Sequence, residues 1–205
     1  MKKTVSLLLL FFGIVLFVPG QTPEPIDLIL VLDTSSSMSG VHREVIDYIS
    51  GPFLKEFLKT GDTFHLISFS GSPRFEISRR IEGIGDVETI LVRMFLLVPL
   101  DPYTDVAGAL DYTERYVLQL PSSRPKKVVF ITDGDQNPEP GTPAAVQDSR
   151  TLETRLAEAA ARLRLEGTDF YQVTFPLTGS GPSSGRNPAP FRTPPPPSAP
   201  KPPQA

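Results

Sequence analysis

The sequence predicts an α/β fold: a doubly wound, mostly parallel sheet with helices on both faces. Three observations carry that prediction. IDLILVLD (26–33) and KKVVFITDG (126–134) are nearly all apolar through their centres, as parallel strands covered on both sides should be. Helix-like stretches alternate with strand-like ones along the chain, the order that builds strand–helix–strand units. Both apolar runs close on an aspartate, Asp33 and Asp133, and open α/β sheets hold ligands at the carboxyl edge of their strands.

The elements follow in order. After the first strand, Val41 to Leu58 has helical spacing, with Val45, Ile49, Phe53 and Phe57 on one stripe and a kink expected at Gly51-Pro52. DTFHLISFS (62–70) and PRFEISRRI (73–81) read as strands paired through the Gly71-Ser72 turn. Asp86 to Leu97 reads as a helix capped by Asp86. Asp105 to Leu118 is another, with Val106, Leu110, Thr113 and Val117 in register. The strand at 126–134 comes next, led in by two lysines. A helix then runs to Leu165, with Leu152, Leu156, Ala159 and Leu163 facing inward and Gly167 as its stop. TDFYQVTFP (168–176) is the last strand.

Both ends differ from this middle. Two lysines precede an apolar run of 14 residues, Val5 to Val18. That is short for a membrane span and right for a signal-peptide core, with cleavage expected near Gln21. An uncleaved anchor is the alternative. Residues 176–205 hold 11 prolines, no acid and three bases, too little apolar surface to fold. The expected organisation is a signal peptide over 1–20, a folded domain over 21–176 and a proline-rich disordered tail over 177–205. The tail reads as an extended spacer or a ligand for a proline-reading partner. No membrane span is expected after signal cleavage. The short dilysine signal points to a bacterial exported protein, in the periplasm, on the cell surface or secreted.

The chain has no cysteine and two histidines, which argues against disulfides and against a zinc or copper site. Residues 21–176 hold 15 bases and all 23 acids, a net charge of −8. This disfavours nucleic acid or an anionic membrane as a partner and suits a site that takes up a cation.

The stretch DTSSS follows the first strand. Alternate side chains of an extended loop share a side, so Asp33, Ser35 and Ser37 point together while Thr34 and Ser36 point away. Asp133 ends a second core strand, beside a glycine that permits a sharp turn. Thr104 stands just before a helix, within reach of the same sheet edge. Taken singly, the serines could be a cap, Thr104 a helix N-cap and Asp133-Gly134 a turn. Together the five are oxygen donors with two carboxylates, a set that prefers a small hard divalent cation: Mg²⁺ first, with Mn²⁺ or Ca²⁺ as alternatives.

DTSSS at 33–37, YTDVAGAL at 103–110 and ITDGDQN at 131–137 resemble the von Willebrand factor type A (VWA) domain and its metal-ion-dependent adhesion site, over about residues 25–176. The resemblance implies that Ser35, Ser37 and Thr104 ligate the ion directly, with Asp33 and Asp133 acting through water or exchanging in. It also implies one open coordination position, filled by a Glu or Asp of a protein partner. Two departures stand out. Pro102 takes a place where the family often has Gly. The family usually continues past 168–176 with another strand and a C-terminal helix, and here the proline-rich segment begins instead. The fold is therefore expected to lack that last pair, and with it the helix through which relatives switch affinity.

Among neighbouring residues, Asp105 and Asp135 read as surface acids and Tyr103 as a loop aromatic. His42 and His65 read as non-ligands, and Lys126 and Lys127 as solvated residues at the opposite edge. The functional expectation is an exported, non-enzymatic adhesion or scaffold module that binds an acidic residue of a partner through a divalent cation. One alternative is a Mg²⁺-dependent phosphohydrolase, for which an Asp two residues after Asp33 is missing. The other is an envelope assembly factor that docks through its tail.

Overall fold

The computed structural model of the chain describes residues 24–142, 145 and 149–175. The segment 1–20 and the tail 177–205 lie outside the described residues. Strand β1 (Asp27–Asp33) is buried along its whole length. It pairs in parallel with β2 (Thr63–Phe69) on one side and with β4 (Lys126–Thr132) on the other. Strand β3 (Pro73–Arg80) pairs antiparallel with β2, and β5 (Thr168–Thr174) pairs in parallel with β4. The order is β3-β2-β1-β4-β5, so the chain winds outward from β1 in both directions. The direction reverses between β1 and β4, which is where such sheets leave a crevice at their carboxyl edge.

The period of two in β1 sorts the core. Leu28, Leu30 and Leu32 face one layer, formed by α1 (His42–Tyr48), α2 (Leu54–Phe57) and α3 (Ile84–Phe95). Ile29 and Val31 face the other, formed by α4 (Val106–Gln119) and α5 (Ser149–Leu165). Both faces of the sheet are therefore covered, as the apolar runs predict.

The expected kink at Gly51-Pro52 is a π-type turn, Ile49–Phe53, between α1 and α2. Helix α3 begins two residues earlier than the sequence suggests. Asp86 lies inside its first turn, and its carboxylate accepts the N–H groups of Glu82 and Gly83 (2.8 and 3.0 Å). In β3 the register shifts opposite Leu66 and Ile67, and Glu76 is the extra residue of that bulge. The Glu76 side chain is buried; it accepts from Ser68 and pairs with Arg93 of α3. Gly167 ends α5 with φ +73°.

One expectation fails at the amino edge. Lys126 is buried rather than solvated, with Nζ donating to the carbonyls of Pro121 (2.7 Å) and Arg124 (3.2 Å). As the first residue of a strand flanked on both sides, it is enclosed by the preceding turn. Lys127 faces Asp169 at 3.8 Å. At the other edge, the N–H of Phe175 donates to the carbonyl of Thr132 (3.0 Å), and the Phe175 ring packs edge-on against Tyr48. The described chain thus ends beside the last residue of β4. Among the described residues the sheet has five strands and stops at β5, and no helix is long and apolar enough to cross a membrane.

Candidate functional site

Asp33 is fully buried at the end of β1. Its Oδ1 accepts the N–H (2.9 Å) and the hydroxyl (2.6 Å) of Ser35, and its Oδ2 accepts the hydroxyl of Thr132 (2.8 Å). The hydroxyls of Ser35 and Ser37 lie 3.0 Å apart. Thr34 turns the other way and donates to the carbonyl of Phe69 (3.0 Å), and Ser36 is exposed. Asp33, Ser35 and Ser37 thus meet as expected, but the backbone is extended only as far as Ser35; Ser36–Gly40 forms a 3-10 turn, and it is this turn that carries the Ser37 hydroxyl to Ser35.

Asp133 follows β4 directly. Its Oδ1 accepts the N–H of Asp135 (2.9 Å), while its Oδ2 is buried without a hydrogen-bond partner. Gly134 adopts φ +85° beside it, a conformation that strains any residue with a side chain. Thr104 is buried, and its backbone pairs with Asn137 in both directions (2.8 and 3.1 Å). This bridge ties the loop before α4 to the loop after β4.

Two residues missed by the sequence reading do much of the assembly. The carbonyl of Asp101 accepts the N–H of Ser36 (2.7 Å), and its carboxylate accepts the Ser70 hydroxyl (2.9 Å) and the Tyr103 N–H (3.0 Å). These bonds, the Tyr103 N–H foremost, hold its pKa below the usual carboxylate range. Gln136 accepts the N–H of Val106 through Oε1 (2.9 Å), fixing the start of α4. The sequence offered a weak signal for Asp101, Asp-Pro as a turn opener at 101–102, and nothing local for Gln136. Asp105, read as a surface acid, caps α4 by accepting the Gly108 N–H (2.8 Å). Asp135 is exposed, and Tyr103 and His42 are half-buried.

The electrostatics are those of an anionic pocket short of positive charge. Burial raises the pKa of Asp33; the Ser35 and Thr132 hydrogen bonds oppose this, and the neighbouring Asp133 charge adds to it. Among the described residues no Lys, Arg or His pairs with either acid, and nowhere do three His, Cys, Asp or Glu side chains gather as a metal cluster. The set at this edge is instead two carboxylates among hydroxyls. A buried carboxylate oxygen with no donor, next to a second buried carboxylate, fits a bound cation.

The sequence profile of the von Willebrand factor type A domain matches residues 28–136, from β1 through the loop after β4. The chain belongs to the VWA family. Members of this family serve mainly as adhesion and protein-interaction modules. Solved VWA-like structures share the fold at low identity. BatB from Bacteroides thetaiotaomicron is 19% identical, with a TM-score of 0.53, over 73% of this chain and 66% of that one. Proximal thread matrix protein 1 of the mussel byssus, in a form with a zinc-occupied MIDAS motif, is 18% identical, with a TM-score of 0.54, over 74% and 38%. Manganese-loaded TRAP of Plasmodium vivax is 17% identical, with a TM-score of 0.54, over 80% and 66%. This VWA chain thus spans less than two thirds of those chains' own lengths. Among curated proteins no sequence matches.

Proposed function

We propose that this VWA domain holds a divalent cation with Ser35, Ser37 and Thr104, backed by Asp33 and Asp133, and through it grips an acidic side chain of a protein partner. The observation that carries this reading is the buried, donor-less Oδ2 of Asp133 beside the buried carboxylate of Asp33. The Mn²⁺ and Zn²⁺ named for two structural neighbours support a divalent ion. The donor set is hard oxygen, so Mg²⁺ is the expected occupant, with Mn²⁺ or Ca²⁺ able to replace it. When bound, the ion supplies an electrophilic position open to an outside carboxylate.

The chain's own residues prepare that position. Thr132 and Ser35 orient Asp33, Asp101 sets the DTSSS loop against the loop carrying Thr104, and Asn137 ties that loop to Asp133. The phosphohydrolase alternative is less well supported, because Ser35 stands where its acid/base would be and Lys126 is engaged at the far edge. In keeping with the leader-like segment, the domain acts outside the cytoplasm, in the periplasm, on the cell surface or in the medium. Residues 177–205 form a spacer or a second docking segment.

Titration calorimetry with Mg²⁺ and Mn²⁺ tests the site: the native domain binds one ion, and Ser35→Ala and Asp133→Ala lose it. Pull-down from envelope extract with Mg²⁺ or EDTA tests the partner, and retention in EDTA refutes metal-bridged binding.

A further inference from the structure

The segment from Val92 to Leu100, the end of α3 and the chain beyond it, carries apolar side chains on both sides, with Arg93 as its one charge. Met94 and Leu97 enter the core. Val92, Phe95, Leu96, Val98 and Leu100 face outward and are all more than half exposed, from 57% at Val98 to 77% at Leu100. A solvated helix face normally carries charge there, and such a concentration of large apolar side chains marks a contact surface. The surface is pre-formed. Glu76, buried in the β3 bulge, holds Arg93 from behind, and Pro99 is buried.

The patch also has a definite place. Leu100 precedes Asp101, whose carbonyl accepts the Ser36 N–H (2.7 Å) and whose backbone bridges to Ser35. The C-terminal end of the patch, Leu100, is therefore next in the chain to the residue that borders the proposed cation site. Charge selects what can lie across both. The domain carries −8, so a partner rich in acids is repelled at range, and one carboxylate on an ion gives little area. We infer that the partner is a protein segment with a single carboxylate flanked by aliphatic or aromatic side chains: the acid meets the ion and its neighbours lie on Val92, Leu96 and Leu100. This rests on the cation reading above and names the partner chemistry of that site.

The test is selection from a displayed library of short random peptides in Mn²⁺ and in EDTA. It uses the native chain, a Val92→Ser/Leu96→Ser/Leu100→Ser variant and the milder Leu100→Ser, each checked for a Mn²⁺-induced rise in Tm. The native chain should enrich, only with Mn²⁺, peptides that combine one Glu or Asp with apolar neighbours. The patch variants, keeping the Mn²⁺ shift, should retain the acid preference and bind the native-selected peptides about tenfold or more weakly. Identical selections by native and variant chains overturn the inference while leaving the cation site standing. So does selection of acid-rich peptides. Patch-dependent self-association in sedimentation, or flotation with neutral vesicles, assigns the surface to a second copy or to lipid and also overturns it. Absence of any Mn²⁺ shift in the native chain removes the cation reading, and this inference with it.

Discussion

Asp33 and Thr132 stand side by side at the ends of neighbouring strands, and the Thr132 hydroxyl donates to Asp33 Oδ2 at 2.8 Å. The bond holds one carboxylate oxygen and leaves the other to Ser35. Thr132→Val keeps the shape and removes the donor, leaving a buried carboxylate short of a partner. The variant should lose about 1–3 kcal/mol of stability in urea unfolding and bind Mg²⁺ more weakly, with calorimetry as the check.

Asp133→Asn separates the two roles of that acid. Removing its charge relieves the repulsion felt by Asp33, so in EDTA the variant should melt at or above the native temperature. Its response to the ion should disappear. For the native domain, a cation at about a hundred times its Kd adds about 2.7 kcal/mol, seen as a rise in Tm that the variant lacks.

His65, buried between Tyr116 and Asp27 at the opposite edge, gives the pH dependence. Its Nδ1 and the Tyr116 hydroxyl lie 2.8 Å apart. Burial lowers its pKa from 6.5 to about 4; Asp27 opposes this and Arg124 reinforces it. Between those values the unfolded chain holds a proton that the native ring does not. Stability from this group is therefore undiminished above pH 6.5, falls as the pH drops through the window, and levels off below about 4. The full loss amounts to roughly 3 kcal/mol, and urea unfolding at pH 7 and pH 4.5 should show most of it in the native chain and much less in His65→Gln.

Glu76→Gln tests the bulge. The change weakens the hold on Arg93 from a buried acid, and α3 should loosen before the rest of the fold. Hydrogen exchange should quicken in Ile84–Phe95 while the β1 amides stay protected. Global stability should fall by about 1–3 kcal/mol.

What the sequence disclosed follows the range of the interactions. β1 and β4 were legible because burial on both faces leaves an unbroken apolar run. The pairing of Asp33 with Ser35 was legible from the period of two, whereas the 3-10 turn that brings in Ser37 was not. The start of α3 was not, because Asp86 caps by reaching backward from inside the helix. The burial of Lys126 depends on a turn that only the tertiary fold places. Asp101 and Gln136 act by joining loops far apart in the chain, and nothing near either residue announces its distant partner. The Glu76 bulge is hidden for the same reason: its partners lie on β2 and α3.

The bond from Phe175 to Thr132 fixes an exit. Because β5 runs parallel to β4, the polypeptide departs on the side where Asp33 and Asp133 lie, not on the side where β1 begins. A molecule held by the downstream prolines and one held at the carboxylates would then be leashed to the same pole of the domain. If residues 177–205 act as the second docking segment proposed above, the two grips would reinforce each other as one bivalent hold.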